Sequence, residues 1–176
     1  IDTAVGAIPL AGDIFDFDPS YIEEGCRELA ELDAPLGVFA VLGNHDTYTG
    51  ADAVALGLET WTRIRLLRND WVRIELEGGA LALAGVEDPG HGWNERDGTH
   101  EALERLASEI PADLSRLLLI HRPSWFGQAA RLGFPLALAG HTHGGQIALP
   151  RPVQHHNVSR LISRCTWGLS PATETG

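Results

Sequence analysis

In the sequence LAGHTHGG, at residues 138–145, one residue separates His141 from His143, and glycines flank the pair. In extended backbone two side chains at this spacing lie on the same side, so both imidazoles could bind one metal ion. A polar turn that contains histidines by chance would give the same short pattern. On its own the pair therefore leaves metal binding and a simple turn equally open.

Ligand-type side chains also follow three other short apolar segments, each of which is predicted to be a buried strand. The complete set is Asp13, then Asn44 with His45 and Asp46, then His121, then His141 with His143. Each motif alone is typical of a surface turn, because Asp and Asn readily hydrogen-bond their own backbone there. In open α/β sheets, however, ligands bind beyond the carboxyl ends of the strands. Repetition at four strand ends therefore favours one shared metal site over four unrelated turns.

Motifs of several other enzyme classes are missing from the sequence. It contains no HExxH helix of a zinc protease, no GxSxG nucleophile turn, no P-loop and no GxGxxG. A histidine pair in a metal-dependent barrel hydrolase would follow the first strand. Here the pair lies late in a chain that is short for a barrel. The remaining ligand set therefore has to be explained by a different fold.

The elements that would position these side chains alternate along the chain. Apolar segments predict strands at 4–11, 36–42, 117–120 and 134–139. Helical spacing predicts helices at 19–33, 51–64, 99–110 and 124–132. Alternating residues at 72–77, a Gly78-Gly79 turn and residues 80–86 predict a β-hairpin. This alternation predicts an α/β fold whose sheet is mixed or divided into two.

Composition narrows the classes of partner. The 176 residues include 13 Lys and Arg against 24 Asp and Glu, which gives a net charge of −11. A nucleic-acid-binding protein needs a basic face to replace counterions, so nucleic-acid binding is not expected. A small anionic substrate stays compatible, because a bound metal reverses the local field. No apolar run approaches the roughly 18 residues of a membrane span.

Two further features bear on the class of protein. Cys26 and Cys165 form no CxxC pair and no zinc-knuckle spacing, so two lone core thiols are favoured over a disulfide. The chain contains no methionine and opens almost at once into the apolar stretch AVGAIPLAG. We therefore expect it to be a fragment of a longer gene product, or a processed chain.

Four motifs in order carry a resemblance to a known family: Gly12-Asp13, GNHD at 43–46, His121, and GHTHGG at 140–145. Together they resemble the calcineurin-like metallophosphoesterase superfamily. NDWVRIELEGGALALAGVEDP, LLLIHRPSWF and LALAGHTHGGQIALP resemble its bacterial phosphodiesterase branch, whose members are often exported or attached to the membrane. Both a cytoplasmic location and export or attachment through a preceding segment therefore stay open. The resemblance covers roughly residues 4–150.

The resemblance implies an α/β (α+β) fold, a two-sheet mixed β-sandwich flanked by helices. Residues 1–176 would form a single metallophosphoesterase-like domain, incomplete at both ends, with an irregular tail at 151–176. The implied activity is metal-dependent hydrolysis of a small phosphoester, by a phosphodiesterase or phosphatase. No oligomeric state is predicted.

The resemblance also implies a role for each motif residue. Asp13 would bridge two divalent metals, with Asn44, His121 and His141 completing one site and His143 binding the second metal. His45 would not be a ligand but would hydrogen-bond the phosphoryl group or protonate the leaving oxygen. Asp16 would orient His45, although a turn residue before a helix would look the same.

The chemistry fits those residue types. Two metals about 3.5–4 Å apart supply a bridging hydroxide as nucleophile and a clamp on the phosphoryl oxygens. Imidazoles with carboxylate and amide oxygens suit Mn, Fe or Zn, and the absence of thiolates disfavours a structural zinc site.

One part of the family pattern is missing. The family begins with Asp-x-His on a first strand, whereas the twelve residues before Asp13 contain Asp2 and no histidine. The site of His143 thus has two of its four usual protein ligands. A fragment of a working phosphoesterase is the first interpretation, and a catalytically silent or mononuclear metal-binding remnant is the alternative. A purely structural α/β interaction domain is a third.

Overall fold

The computed structural model describes residues 6–90 and 98–143, and strands and helices alternate along them. The strands are β1 (Ile8–Ala11), β2 (Val38–Val41), β3 (Arg65–Leu66), β4 (Asp70–Leu76), β5 (Gly79–Val86), β6 (Ser115–Ile120) and β7 (Leu136–Leu138). The helices are α1 (Ile22–Leu29), α2 (Asn44–Trp61), α3 (Thr99–Glu109) and α4 (Phe126–Arg131). Short 3₁₀ turns at Pro19–Tyr21 and Pro123–Trp125 lead into α1 and α4.

The strands form two sheets, as the sequence predicts. The first has the order β1-β2-β3 and is entirely parallel. The second has the order β4-β5-β6-β7, in which the β4–β5 hairpin is antiparallel and the other pairs are parallel. Ala11 lies opposite Val41, and Leu119 lies opposite Leu138. The carboxyl ends of β1 and β2 therefore share one edge, and so do those of β6 and β7.

The two sheets pack face to face. Successive residues of a strand point in opposite directions, so alternate residues face the other sheet or the helices. In β2, Phe39 and Val41 join the core between the sheets, whereas Ala40 packs with the residues of α1 and α2. In β6, Leu119 faces the first sheet and Leu118 faces α3 and α4. The molecule is thus a β-sandwich with one pair of helices on each outer face, in agreement with the expected fold.

The sheets pack tightly at Gly85 in β5. A Cβ placed there would lie 2.3 Å from Leu67 Cβ and 2.9 Å from Val41 Cγ1. We therefore predict that Gly85→Ala lowers the free energy of unfolding by about 1–3 kcal/mol through overpacking. Gly78→Ala is the control, because no atom lies within 4 Å of its added Cβ. Urea unfolding measures both variants, and equal losses would contradict the close packing.

Some predicted elements differ from the structure. The helix predicted at 51–64 begins at Asn44, because Gly43 caps it and Gly50, at φ 120°, only kinks it. The two-residue strand β3 was not predicted, since it is too short to show a period. The strands expected to be buried at 4–11 and 134–139 are shorter and only partly buried, with Leu136 49% exposed. Within the described residues, β1 and β7 lie at sheet edges, where one side lacks a neighbouring strand.

Several predictions concern residues that the structure does not describe. Residues 4–5, the predicted irregular tail at 151–176 and Cys165 lie outside the described ranges. Cys26 is a buried thiol, as expected for a core cysteine. In the described part of the chain, every helix is too short or too polar to cross a lipid bilayer.

Candidate metal centre

Side chains from three separate strand ends meet in one cluster. Asp13 follows β1, His121 directly follows β6, and His141 follows β7. One ligand atom from each of these residues lies within 4.8 Å of the others. Asn44, the first residue of α2, joins them, because its Oδ1 lies 3.1 Å from His121 Nε2. Four of the five predicted metal ligands are therefore together, although they lie about 20 to 130 residues apart in the chain.

His121 is the centre of the cluster and is 1% exposed. Its Nδ1 lies 2.7 Å from the carbonyl oxygen of Ala11, and because a carbonyl only accepts, Nδ1 carries the hydrogen. The lone pair of the neutral ring is then on Nε2. That atom faces Asp13 Oδ2 at 3.2 Å and Asn44 Oδ1 at 3.1 Å, both of which are acceptors.

Acceptors that converge on a lone pair repel one another unless a cation lies among them. His141 Nδ1 adds a fourth atom to the group, 3.1 Å from His121 Nε2. A proton on Nε2 removes part of the repulsion, and a metal ion bound by all four atoms removes it entirely. Two imidazoles, a carboxylate and an amide oxygen are ligands that Zn, Mn and Fe accept. The residues therefore fit a divalent metal.

The electrostatics of the cluster keep Asp13 and His141 in metal-binding form, whereas they favour a proton on His121 that a metal ion would have to displace. Burial, together with the nearby charges of His121 and Arg122, lowers the pKa of His141 to about 4, so the ring is neutral at pH 7. Burial opposes ionisation of Asp13, but hydrogen bonds from His121 and the His45 backbone N–H bring its pKa below the usual value. Burial also opposes protonation of His121, yet its hydrogen bonds to Asp13 and Ala11 outweigh this and raise its pKa.

Unfavourable backbone conformations are concentrated beside this cluster. Five described residues other than glycine have positive φ, namely Asp13, Phe17, Asn69, His141 and His143. Four of them lie in the segments that follow β1 and β7. A left-handed conformation costs an ordinary residue roughly 1–2 kcal/mol, and such strain is typical of functional sites. Gly12, at φ 84°, relieves a further clash, because a Cβ there would lie 2.6 Å from His121 Nδ1.

Asp46 is a positioning residue to which sequence reasoning assigned no role. It is fully buried, and its carboxylate accepts from the backbone N–H groups of Ile14 at 2.9 Å, Phe15 at 2.8 Å and Gly43 at 2.8 Å. Burial raises its pKa, although these three N–H groups oppose the change. Asp46 thereby fastens the loop of Asp13 to the start of α2. Its place three residues after the helix cap was the signal that could have identified it.

Removing this carboxylate should loosen the cluster. In Asp46→Asn the amide group would face backbone N–H donors, so we expect a loss of about 1–3 kcal/mol in the free energy of unfolding. Mn²⁺ affinity should fall as well, because Asp13 loses its support. Asp52→Asn on the same helix is the control, since the Asp52 side chain is 93% exposed. Thermal unfolding and Mn²⁺ titration measure both, and a stable Asp46→Asn variant with native affinity would contradict the role.

His45 lies beside the cluster but outside the ligand group. Its Nδ1 is 2.7 Å from Asp16 Oδ1, which is the contact expected of an orienting carboxylate. Its backbone N–H donates to Asp13 Oδ1 at 3.0 Å. The Asp16 side chain is 69% exposed and that of His45 is 31% exposed, so the pair faces solvent. The geometry brings Asp16 and His45 together, and their roles stay predictions.

His143 and Arg122 also lie in the segments that contribute to the cluster. His143 is exposed and is not in the group of ligand atoms found among the described residues, so its predicted role stays untested. Arg122, next to His121, pairs through Nε and Nη2 with the buried carboxylate of Asp88, the latter at 2.9 Å. Sequence reasoning missed this pair, because the two residues are 34 positions apart and no local pattern connects them.

Comparison with known proteins identifies the family. A family profile described as calcineurin-like phosphoesterase matches residues 5–145, which is most of the chain and includes every residue of the cluster. This chain belongs to the calcineurin-like phosphoesterase family. Calcineurin-like phosphoesterases bind divalent metals, in agreement with the Asp and His ligands found here.

Relatives of this calcineurin-like phosphoesterase come from bacteria and animals. The metallophosphoesterase YkuE of Bacillus subtilis, itself uncharacterized, is 33% identical over 146 residues, with 81% of this chain and 49% of that protein covered. An uncharacterized metallophosphoesterase of Aquifex aeolicus is 35% identical over 136 residues, covering 76% and 49%. A bovine transmembrane protein with a metallophosphoesterase domain is 32% identical over 154 residues, covering 78% and 33%. The chain thus spans about a third to a half of the length of these relatives.

Proposed function

We propose that this chain hydrolyses a small phosphomonoester or phosphodiester with divalent metal, of which Mn, Fe and Zn fit the ligands best. Asp13, Asn44, His121 and His141 would hold one ion, and Asp13 with His143 would contribute to a second. The observation that carries the proposal is the convergence of Asp13 Oδ2, Asn44 Oδ1 and His141 Nδ1 on His121 Nε2 within 3.2 Å. Metallophosphoesterase relatives support the same reaction class.

Different residues of the chain would position the metal and donate the proton. Metal, when bound, supplies Lewis acidity that activates water and neutralises charge on the phosphoryl oxygens. Asp13 and His121 fix the ligand cluster, since each is hydrogen-bonded to a second element of the fold. Because Asp16 accepts the hydrogen on His45 Nδ1, the other ring nitrogen, Nε2, is the one that can donate a proton to the leaving oxygen.

The test is metal analysis paired with an assay. Protein treated with EDTA and reloaded with Mn²⁺ or Zn²⁺ is assayed with bis(4-nitrophenyl) phosphate and 4-nitrophenyl phosphate, and bound metal is counted by elemental analysis. The proposal expects turnover that EDTA abolishes and metal restores. Unchanged metal content and stability in His141→Ala, without turnover in any form, would overturn it in favour of a structural domain.

A metal-binding protein without turnover is the second candidate. It is favoured by the exposed His143, which among described residues lies outside the group that could hold an ion. One tightly bound metal without hydrolysis of either ester would select this candidate. Two bound metals with turnover would exclude it.

A prediction follows for the residue that orients His45. Asp16→Asn should lower kcat by no more than about fivefold, because an ion pair this exposed is worth no more than about 1 kcal/mol. Metal content should stay unchanged, since Asp16 does not contact the ligands. Steady-state kinetics and elemental analysis of the same metal-loaded sample measure both quantities. An unchanged kcat would show that Asp16 is a turn residue only.

A further inference from the structure

Aromatic rings form a surface patch next to His45. The Phe17 ring centroid lies 5.0 Å from that of His45 and 5.9 Å from that of Tyr48, and the His45–Tyr48 distance is 6.0 Å. These separations are within the contact range of aromatic pairs, so the rings form one continuous surface. Phe17 is 62% exposed and Tyr48 is 47% exposed. The proposed proton donor is therefore one side of an open aromatic patch, defined by Phe17, His45 and Tyr48.

Folding alone gives little reason for this arrangement. Phe17 has φ 58°, an unfavourable conformation for a bulky residue, and its exposed ring gains little from burial. The Tyr48 hydroxyl donates to the carbonyl of Gly90 at 2.7 Å, which fixes the orientation of its ring. Strained backbone that presents a large apolar side chain to solvent beside a reactive group is typical of a ligand-binding surface.

We propose that Phe17 and Tyr48 form a subsite for a planar aromatic ring carried by the phosphoester, an aryl group or a nucleobase. The inference rests on the proposed function, because it takes the phosphoryl group to bind beside His45. It names the class of substrate that the same site accepts.

The shape of the patch favours a ring over an alkyl chain. The Phe17 and Tyr48 rings are stacked, with planes 11° apart and centroids 5.9 Å apart, so a ligand ring can extend the stack but cannot enter between them. An exposed ring face suits stacking of a planar ring, whereas an alkyl chain gains most in a groove that encloses it. Asp16 and Asp18 flank Phe17 in sequence, and their charges disfavour a second anionic group at this position.

Binding of small phosphonates tests the subsite directly. Phenylphosphonate and cyclohexylphosphonate have the same charge and similar size, but only the first is planar and aromatic. Calorimetric titration of the Mn²⁺-loaded protein should show phenylphosphonate binding roughly two- to tenfold tighter. Phe17→Leu and Tyr48→Leu should each reduce this preference. Phe17→Tyr and Tyr48→Phe, which keep the rings, should retain it.

Control experiments distinguish a specific ring subsite from a general change in phosphonate affinity. Leu56→Ala removes an exposed apolar side chain from the same helix as Tyr48 and should leave the preference unchanged. Methylphosphonate, which lacks a ring, should bind all variants equally. Uridine 5′-monophosphate compared with ribose 5-phosphate distinguishes a nucleobase from a simple aryl group. Equal affinity for the phenyl and cyclohexyl compounds in the unmodified protein would overturn the inference.

The same titrations keep this inference distinct from the proposed function. A ring preference that disappears in Phe17→Leu, in protein that hydrolyses neither ester, would retain the subsite and reject the hydrolase. Hydrolysis without any ring preference would retain the hydrolase and reject the subsite.

Discussion

Replacing His45 by asparagine is expected to lower kcat for a phosphodiester by about two to four orders of magnitude, which is the usual contribution of a general acid. Asparagine keeps the backbone N–H that donates to Asp13, and it can still hydrogen-bond, but it cannot give up a proton at neutral pH. His45 is not in the ligand group, so bound metal should be unchanged. Steady-state kinetics on the metal-loaded variant, with elemental analysis of the same sample, measures both quantities.

The matched control is His100→Asn. His100 is a partly exposed histidine at the start of α3 that pairs with Glu104, and the variant makes the same chemical change on another element. Its kcat should stay within about twofold of the unmodified protein. A His45→Asn variant with near-normal kcat, or one that loses its metal in parallel with its activity, would contradict the separation of proton donor from ligands.

Replacing Asp13 by asparagine is expected to weaken Mn²⁺ binding by more than about 100-fold and to abolish turnover at low metal concentration. The change preserves shape but removes the only carboxylate among the four converging side chains, and supporting groups around metal ligands are themselves worth 10- to 100-fold. Excess Mn²⁺ should restore part of the activity, because the remaining ligands are still in place. Calorimetric titration and kinetics across a range of Mn²⁺ concentrations measure the effect.

Asp18→Asn provides the comparison for that prediction. Asp18 lies on the same loop, is exposed and accepts from the Ser20 backbone N–H, a bond that asparagine can also accept. Its Mn²⁺ affinity should equal that of the unmodified protein. Equally tight Mn²⁺ binding by Asp13→Asn would remove Asp13 from the metal site.

The convergence of four side chains could be predicted because their residue types are unusual where they occur. Asp13, Asn44, His121 and His141 each follow an apolar segment, and parallel strands place their carboxyl ends at a common edge. The β4–β5 hairpin was predicted from the alternation at 72–77, but its turn is Glu77-Gly78 and not Gly78-Gly79, because Gly79 of β5 already pairs with Leu76. Local pattern and long-range packing agree in these regions, which is why sequence alone was sufficient.

Other features depend on contacts that no local pattern reveals. Asp46 looks like a solvated turn residue, and only the neighbouring N–H groups of Ile14 and Phe15, more than 30 residues away, give it a positioning role. The start of α2 at Asn44 was missed because GNHD resembles a turn until Gly43 is seen to cap a helix. The aromatic patch likewise joins Phe17 to residues about 30 positions away, at 45 and 48.

The location of a bound metal is the measurement that tests the central claim most directly. Crystals grown with Mn²⁺ and measured on both sides of the manganese absorption edge give an anomalous difference map that identifies the ion and its ligands. The account predicts a peak in contact with the side chains of Asp13, His121 and His141. A peak coordinated by other residues, or fully loaded protein without a peak at this cluster, would contradict it.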